Sequence, residues 1–128
     1  MNPFQQHGAF SWCELMTSDT NAAKDFYQRI FGWTLKDEPM EGGKTYTVIQ
    51  AGEEKIGGIL STADALSEET PPPHWGTYVT VDDVDKTVEL VESIGGKIIV
   101  PPMDIPGTGR FAVFADPQKA VLSIISYS

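Results

Sequence analysis

The sequence is short of the residues that build disulfides, metal clusters and nucleic-acid-binding surfaces. Its 128 residues include one cysteine, Cys13, and two histidines, His7 and His74. One cysteine excludes an internal disulfide and fits a reducing compartment, so a cytoplasmic location is predicted. Nine basic residues stand against 18 acidic ones. The net charge of −9 would repel phosphate backbones, so nucleic acid is not an expected partner.

The sequence also lacks the segments that would place it in a membrane. No apolar run approaches the ~20 residues that a spanning helix requires, so no membrane partner is expected. The N-terminal MNPFQQHGAF has neither the basic nor the apolar region of a signal peptide. The length fits one domain with its own core, and 12 glycines and nine prolines indicate many turns.

Residues 12–33, WCELMTSDTNAAKDFYQRIFGW, predict a strand, a helix and a second strand. Asp19 is a suitable N-cap, because its carboxylate can accept the free N–H groups of the first helical turn. Apolar residues then recur at helical spacing and predict one inward face. They are Ala23, Phe26, Tyr27 and Ile30. Gly32 predicts the end of the helix, since glycine tolerates the left-handed conformation there.

The same pattern occurs a second time. A shift of 64 residues places Asp19 on Asp83, Phe26 on Leu90 and Ile30 on Ile94. Asp82 or Asp83 should cap the second helix. Its inward residues should be Val84, Thr87 or Val88, Val91 and Ile94, and Gly95-Gly96 should end it. Trp12 and Trp75 align at a shift of 63, which leaves the register of the first strands open by one residue. Further β-prone runs follow each helix, so each half is predicted to be β-α-β-β-β.

These motifs resemble the vicinal oxygen chelate superfamily, which includes glyoxalases, bleomycin-resistance proteins and dioxygenases. The resemblance rests on Asp19, Asp25-Phe26-Tyr27 and Phe31-Gly32-Trp33 in the first half. In the second half it rests on residues 81–84 (VDDV), Gly95-Gly96 and Asp116-Pro117. It implies an α+β fold in which two βαβββ modules form a curved mixed sheet, a cup, within one domain. The modules would span residues 8–61 and 74–128, joined by a linker at 62–73.

Many members of that superfamily hold a divalent metal with one residue from the first and last strand of each module. The resemblance carries these four positions onto Trp12, Gly58, Gly76 and Ser123. Such metals need imidazole or carboxylate donors, which these positions lack. The sequence therefore predicts no metal and no cofactor.

Without a metal, the open face of the sheet is expected to be a small-molecule pocket. Alternation along the strands places Trp12 and Glu14 on this face, and Cys13 and Leu15 on the face toward the helix. The predicted ligand-binding residues are Trp12, Tyr46, Gly58, Gly76, Tyr78, Arg110 and Ser123. Gly58 and Gly76 are expected to leave room at the centre of the cup.

Two residues are candidates for proton transfer. Glu14 lies among apolar groups and could act as a general acid or base. The alternative is that it reaches the rim or pairs with Arg110 or a lysine. His74 could carry protons at the mouth of the cup, or simply be exposed. Cys13 is expected to pack behind the sheet as a small apolar residue.

Residues 101–110 are predicted to form a loop, because they contain three prolines and two glycines. This loop could overhang the cup as a lid, with Arg110 holding an anionic group. The alternative is a plain connection in which Arg110 balances nearby acidic residues.

Three functions remain open. The first is a metal-independent small-molecule-binding protein, for which a flat or cationic ligand would suit an acidic, aromatic cleft. The second is a metal-independent lyase or isomerase that uses Glu14 as its acid-base group. The third is a metal-dependent glyoxalase or dioxygenase with displaced ligands. A homodimer is also expected. One small cup is not expected to bury all the strand edges and aromatic side chains, and a second copy of the chain could cover the rest.

Overall fold

The structure is a computed structural model that describes residues 1–62 and 72–128. Contacts divide the chain into two compact units. The first unit is Trp12–Trp75, and the second unit combines Met1–Ser11 with Gly76–Ser128. Most of the predicted linker, residues 63–71 of 62–73, lies outside the described residues.

The first half of the chain has the predicted βαβββ order. Its elements are β1 (Phe10–Thr17), α1 (Thr20–Phe31), β2 (Thr34–Pro39), a 3-10 turn (Glu41–Gly43), β3 (Thr45–Ala51) and β4 (Glu54–Ser61). The strands lie in the order β2-β3-β4-β1, with β4 parallel to β1 and the other pairs antiparallel.

The second half repeats this order. Its elements are β5 (His74–Thr80), α2 (Val84–Ser93), β6 (Lys97–Ile105), β7 (Gly109–Ala115) and β8 (Val121–Tyr127). The strands lie in the order β5-β8-β7-β6, with β8 parallel to β5. The predicted α+β class and the two βαβββ modules are confirmed.

Both predicted helix caps are present. The Asp19 carboxylate accepts the Ala22 N–H at 3.0 Å, and the Asp83 carboxylate accepts the Lys86 N–H at 3.1 Å. Gly32 ends α1 in the left-handed conformation, with φ 67°. These local signals act within one turn of helix, so the sequence alone is enough to place them.

The inward helix faces are narrower than predicted. On α1, Ala23 and Tyr27 pack against buried Leu15, Ile49 and Ile59. Phe26 and Ile30 remain 58% and 53% exposed, so their assignment to the core was wrong. A short helix on a four-stranded sheet buries only a narrow strip of its own surface. Phe26 and Ile30 lie at the edge of the apolar face of α1, so the sheet does not cover them.

The second helix shows the same departure. Val84 and Val88 pack with Val81, Ala112 and Ile124 as predicted. Ile94, predicted to face inward, is the C-cap residue of α2 and is 70% exposed. It follows the last helical residue, so the helical spacing that predicted its direction no longer applies there.

The predicted lid loop at residues 101–110 is largely strand. β6 runs through Pro101 and Pro102 to Ile105, and only a tight turn separates it from β7 at Gly109. The strand tolerates the prolines because it lies at the end of the strand order and because its register with β7 shifts between Val100 and Met103.

The N-terminal arm packs within the second unit. Gly8 donates its N–H to the Thr80 carbonyl at 2.7 Å, and the Thr80 N–H donates to the Ala9 carbonyl at 2.8 Å. The Thr80 hydroxyl donates to the Pro3 carbonyl at 2.7 Å. Phe4 meets the Tyr127 ring edge-on, with centroids 5.0 Å apart.

Candidate functional site

Three of the predicted site residues form one hydrogen-bonded group in the first unit. The Trp12 indole Nε1 donates to the Tyr46 hydroxyl at 2.8 Å, and that hydroxyl donates to Glu14 Oε2 at 2.8 Å. Trp12 and Glu14 alternate with Leu15, which packs under α1. The group therefore lies on the sheet face opposite the helix, as the alternation of strand β1 predicted.

Gly58 lies directly beneath this group. It is the parallel-strand partner of Glu14, and a Cβ built on it would overlap the hydroxyl and two ring carbons of Tyr46. The space at Gly58 is therefore filled by the phenol ring and is not left open, contrary to expectation. Paired glycines in a strand indicate close approach by another group, and that group is Tyr46.

The hydrogen bonds define the polarity of the site. Because the Tyr46 hydroxyl accepts one hydrogen bond and donates another, the bonds polarise each other. Glu14 accepts the second of these bonds, so its carboxylate is held in a fixed direction. All three side chains are half-buried. An orientated carboxylate beside an indole and a phenol can hold a cation or exchange a proton with a bound molecule.

The other proposed catalytic residue is not part of this group. His74 is exposed at the start of β5, and its Nδ1 lies 2.9 Å from the Pro72 carbonyl oxygen. Its position agrees with the alternative that it is simply exposed.

The remaining predicted ligand-binding residues belong to the second unit. Tyr78 pairs with Ser123 across the parallel strands β5 and β8, and Gly76 is half-buried in β5. Tyr78 also packs against an apolar cluster of Val100, Phe111 and Ile125.

Arg110 lies on the opposite face of that sheet, toward α2. Its Nε and Nη2 donate to the Asp85 carboxylate at 2.9 and 3.0 Å, and Nη1 donates to Asp104 at 3.0 Å. Hydrogen bonding by Arg110 holds the Asp85 pKa below its usual value, and the same two carboxylates raise the Arg110 pKa. This geometry matches the alternative in which Arg110 balances nearby acidic residues.

Two features were missed or misjudged at the sequence level. Cys13 was expected to be covered but is exposed. Asp37 forms a polar contact beneath α1 that no motif indicated: it accepts from the Thr47 hydroxyl at 2.7 Å and from Lys24 Nζ at 3.2 Å. Strand pairing brings Asp37 opposite Thr47, so knowledge of the β2–β3 register would have revealed it.

Comparison with known proteins gives the family. The model of the glyoxalase/bleomycin resistance protein/dioxygenase superfamily matches residues 9–124. The chain belongs to this superfamily. CFP32 of Mycobacterium tuberculosis, provisionally named a glyoxylase, is 37% identical over 122 residues, covering 92% of this chain and 44% of its own length. The anthracycline biosynthesis protein DnrV of Streptomyces peucetius is 33% identical over 129 residues, covering 91% of this chain and 46% of its own.

The superfamily fold is also found among solved structures. A protein of Bacillus halodurans C-125 matches with a TM-score of 0.68 and 16% identity, over 96% of each chain. Methylmalonyl-CoA epimerase from Mycobacterium tuberculosis matches with a TM-score of 0.63 and 13% identity, over 94% of this chain and 88% of its own. At these identities the likeness concerns the fold alone. The chain spans less than half the length of the curated relatives it matches.

The four residues onto which the resemblance carries the metal ligands lack metal-binding side chains. These residues are Trp12, Gly58, Gly76 and Ser123. None of them has the imidazole or carboxylate donor that such a metal needs. Within residues 1–62 and 72–128, no three His, Cys, Asp or Glu side chains come together to hold an ion. Over the same part of the chain, no helix is long and apolar enough to cross a membrane.

Proposed function

We propose that this domain is a metal-independent small-molecule-binding member of the superfamily, with its ligand held against Trp12, Tyr46 and Glu14. The observation that carries the proposal is the pair of 2.8 Å hydrogen bonds that join Trp12, Tyr46 and Glu14. The indole and phenol offer aromatic surface, and the carboxylate offers a negative charge that these bonds hold in place. A flat ligand with a cationic group uses both features.

The relatives suggest a first ligand class. DnrV, and DauV of Streptomyces sp. (strain C5), are named for anthracycline biosynthesis. Anthracyclines are flat, fused-ring aromatic compounds, and many carry an ammonium group. The net charge of −9 also favours the approach of cations. We therefore choose an amino-sugar anthracycline as the probe, with its uncharged aglycone for comparison.

Fluorescence titration with and without a chelator tests this proposal. We expect binding to survive chelation, and the cationic probe to bind more tightly than its aglycone. Glu14→Gln should weaken binding of the cationic probe by about ten- to a hundredfold, because a charged contact is lost. Glu53→Gln is the matched control, since it removes the same charge from an exposed position between β3 and β4. Loss of binding on chelation, or equal effects of the two substitutions, would refute the proposal.

A second candidate function is a metal-independent lyase or isomerase in which Glu14 moves a proton. The contact from the Tyr46 hydroxyl to Glu14 Oε2 favours it, because a hydrogen-bonded carboxylate has a fixed direction for proton transfer. For any ligand found by titration, turnover should be followed in deuterium oxide by mass spectrometry. If Glu14→Gln still binds the ligand but no longer exchanges its protons or turns it over, the protein is an enzyme that uses Glu14. Turnover equal to that of the unaltered protein excludes this role for Glu14.

We also propose that the protein acts in the cytoplasm and forms a homodimer. The single cysteine supports the first part. The exposed side chains of Phe26 and Ile30 on α1 and of Leu90 on α2 support the second. Light scattering coupled to size exclusion tests the dimer, because a mass near 14.0 kDa at micromolar concentration would contradict it.

A further inference from the structure

A concave surface lies on the face of strand β1 opposite Trp12 and Glu14. Cys13 alternates with Trp12 and Glu14, so it faces α1 while they face away from the helix. It opens into a cleft of about 420 Å³ within the first unit. The cleft is lined by Cys13, Tyr27, Phe31, Trp33, Ile49, Ile56, Gly57 and Trp75.

Four aromatic rings form the wall of this cleft. Tyr27 and Trp33 lie nearly parallel with centroids 6.0 Å apart, and Phe31 stacks on Trp33 at 4.8 Å. Trp75 meets Tyr27 at 84° and Trp33 at 74°. The rings support each other, so the wall is already formed before any ligand enters.

The rings remain accessible despite these contacts. Phe31 is 58% exposed and Trp75 is 41% exposed, whereas Ile49 and Gly57 are buried and close the cleft from below. A single exposed aromatic side chain needs no explanation, but a group of them around a hollow marks a binding surface. The volume lies within the ~300–1,000 Å³ typical of small-ligand sites.

The lining selects an uncharged ligand. None of the eight lining residues is Asp, Glu, Lys, Arg or His. A charged group entering this cleft would lose hydration without gaining a charged partner from the lining. The polar side-chain groups of the lining include the Cys13 thiol and the pair formed by Trp75 Nε1 and the Tyr27 hydroxyl, 3.3 Å apart.

We propose that this cleft is a second binding site, which takes an uncharged, flat aromatic molecule. It differs from the site at Trp12, Tyr46 and Glu14 in sheet face and in ligand charge. An apolar ring stacks on the aromatic wall and covers the Cys13 thiol. The proposal does not depend on the function proposed above.

The single cysteine makes the test direct. Cys13 is alkylated with iodoacetamide in the presence of one of three probes, and the reaction is followed by mass spectrometry. The probes are neutral 2-naphthol, anionic 2-naphthoate and cationic 1-naphthylmethylammonium. We expect 2-naphthol to slow alkylation at concentrations about tenfold or more below those of the charged probes. Equal protection by all three would indicate non-specific association and overturn the proposal, as would no protection up to the solubility limit of 2-naphthol.

Substitutions locate the site. Phe31→Leu keeps apolar bulk but removes a ring, and should weaken protection by about two- to tenfold. Trp75→Leu should act in the same direction. Phe31 is 58% and Trp75 41% exposed, so the fold should survive both changes, and thermal melting tests this. Phe10→Ala is the control, because this exposed ring does not line the cleft. Protection that is unchanged in both ring variants, or equally reduced in Phe10→Ala, would overturn the assignment.

Discussion

Replacing Gly58 by alanine tests the close contact that shapes the proposed site. A Cβ at this position would fall inside the van der Waals distance of the Tyr46 hydroxyl and ring. The phenol must then move away, and its hydrogen bonds to Trp12 and Glu14 are lost. Alanine is otherwise the better strand residue, because glycine loses more conformational freedom on folding.

The expected magnitude follows from these opposing effects. A hydrogen bond to a carboxylate contributes about 1.5–3 kcal/mol and a neutral one about 0.5–1.5 kcal/mol. Replacing glycine by alanine within a strand stabilises the folded state by roughly 0.5–1 kcal/mol, which offsets part of the free energy lost with these hydrogen bonds. Gly58→Ala should therefore lower the free energy of unfolding by about 1–4 kcal/mol, a large share of the ~5–15 kcal/mol typical of a domain.

Urea denaturation of a double-mutant cycle measures this effect. Tyr46→Ala removes the ring that meets the new methyl group, so adding Gly58→Ala to it should cost much less than the same change in the unaltered protein. We expect a coupling free energy of about 2–4.5 kcal/mol between the two positions, equal to the hydrogen bonds that Gly58→Ala breaks only when the Tyr46 ring is present. If Gly58→Ala is neutral or stabilising, or if the two changes are additive, the proposed contact is wrong.

The remaining predictions concern pH and follow from two perturbed groups. Burial raises the Tyr127 pKa above its ordinary 10.0, so its contribution to stability is complete below pH 10 and is lost as the pH rises through the raised value. Unfolding free energies between pH 8 and 12 should fall more steeply for the unaltered protein than for Tyr127→Phe; parallel curves would contradict this. Hydrogen bonds from Thr47 and Lys24 lower the Asp37 pKa below 3.8. Asp37→Asn should therefore be destabilising above pH 4, and the difference from the unaltered protein should shrink as the pH falls through the lowered value; a difference that persists in strong acid would refute it.

Other features of the chain depend on distant strand pairing and were not predictable from local patterns. Pro101 and Pro102 indicated a loop, but they lie in β6 at a shift in its register with β7. Arg110 lies 25 residues from Asp85 in sequence, and only the packing of α2 on β7 brings the two together. Cys13 was expected to be covered, but the aromatic side chains near it pack on one another and leave the thiol exposed.

Local patterns in the sequence predict the repeated βαβββ order, a helix cap at Asp19 and a second one at Asp82 or Asp83. They also predict the sheet face on which Trp12 and Glu14 lie. These features depend on interactions within a few residues, or on the strict alternation of a strand. The position of Tyr46, which fills the space over Gly58 and joins Trp12 to Glu14, is apparent from the folded chain alone. That outcome depends on β3 and β1 both lying beside β4, and such long-range pairing leaves no local trace in the sequence.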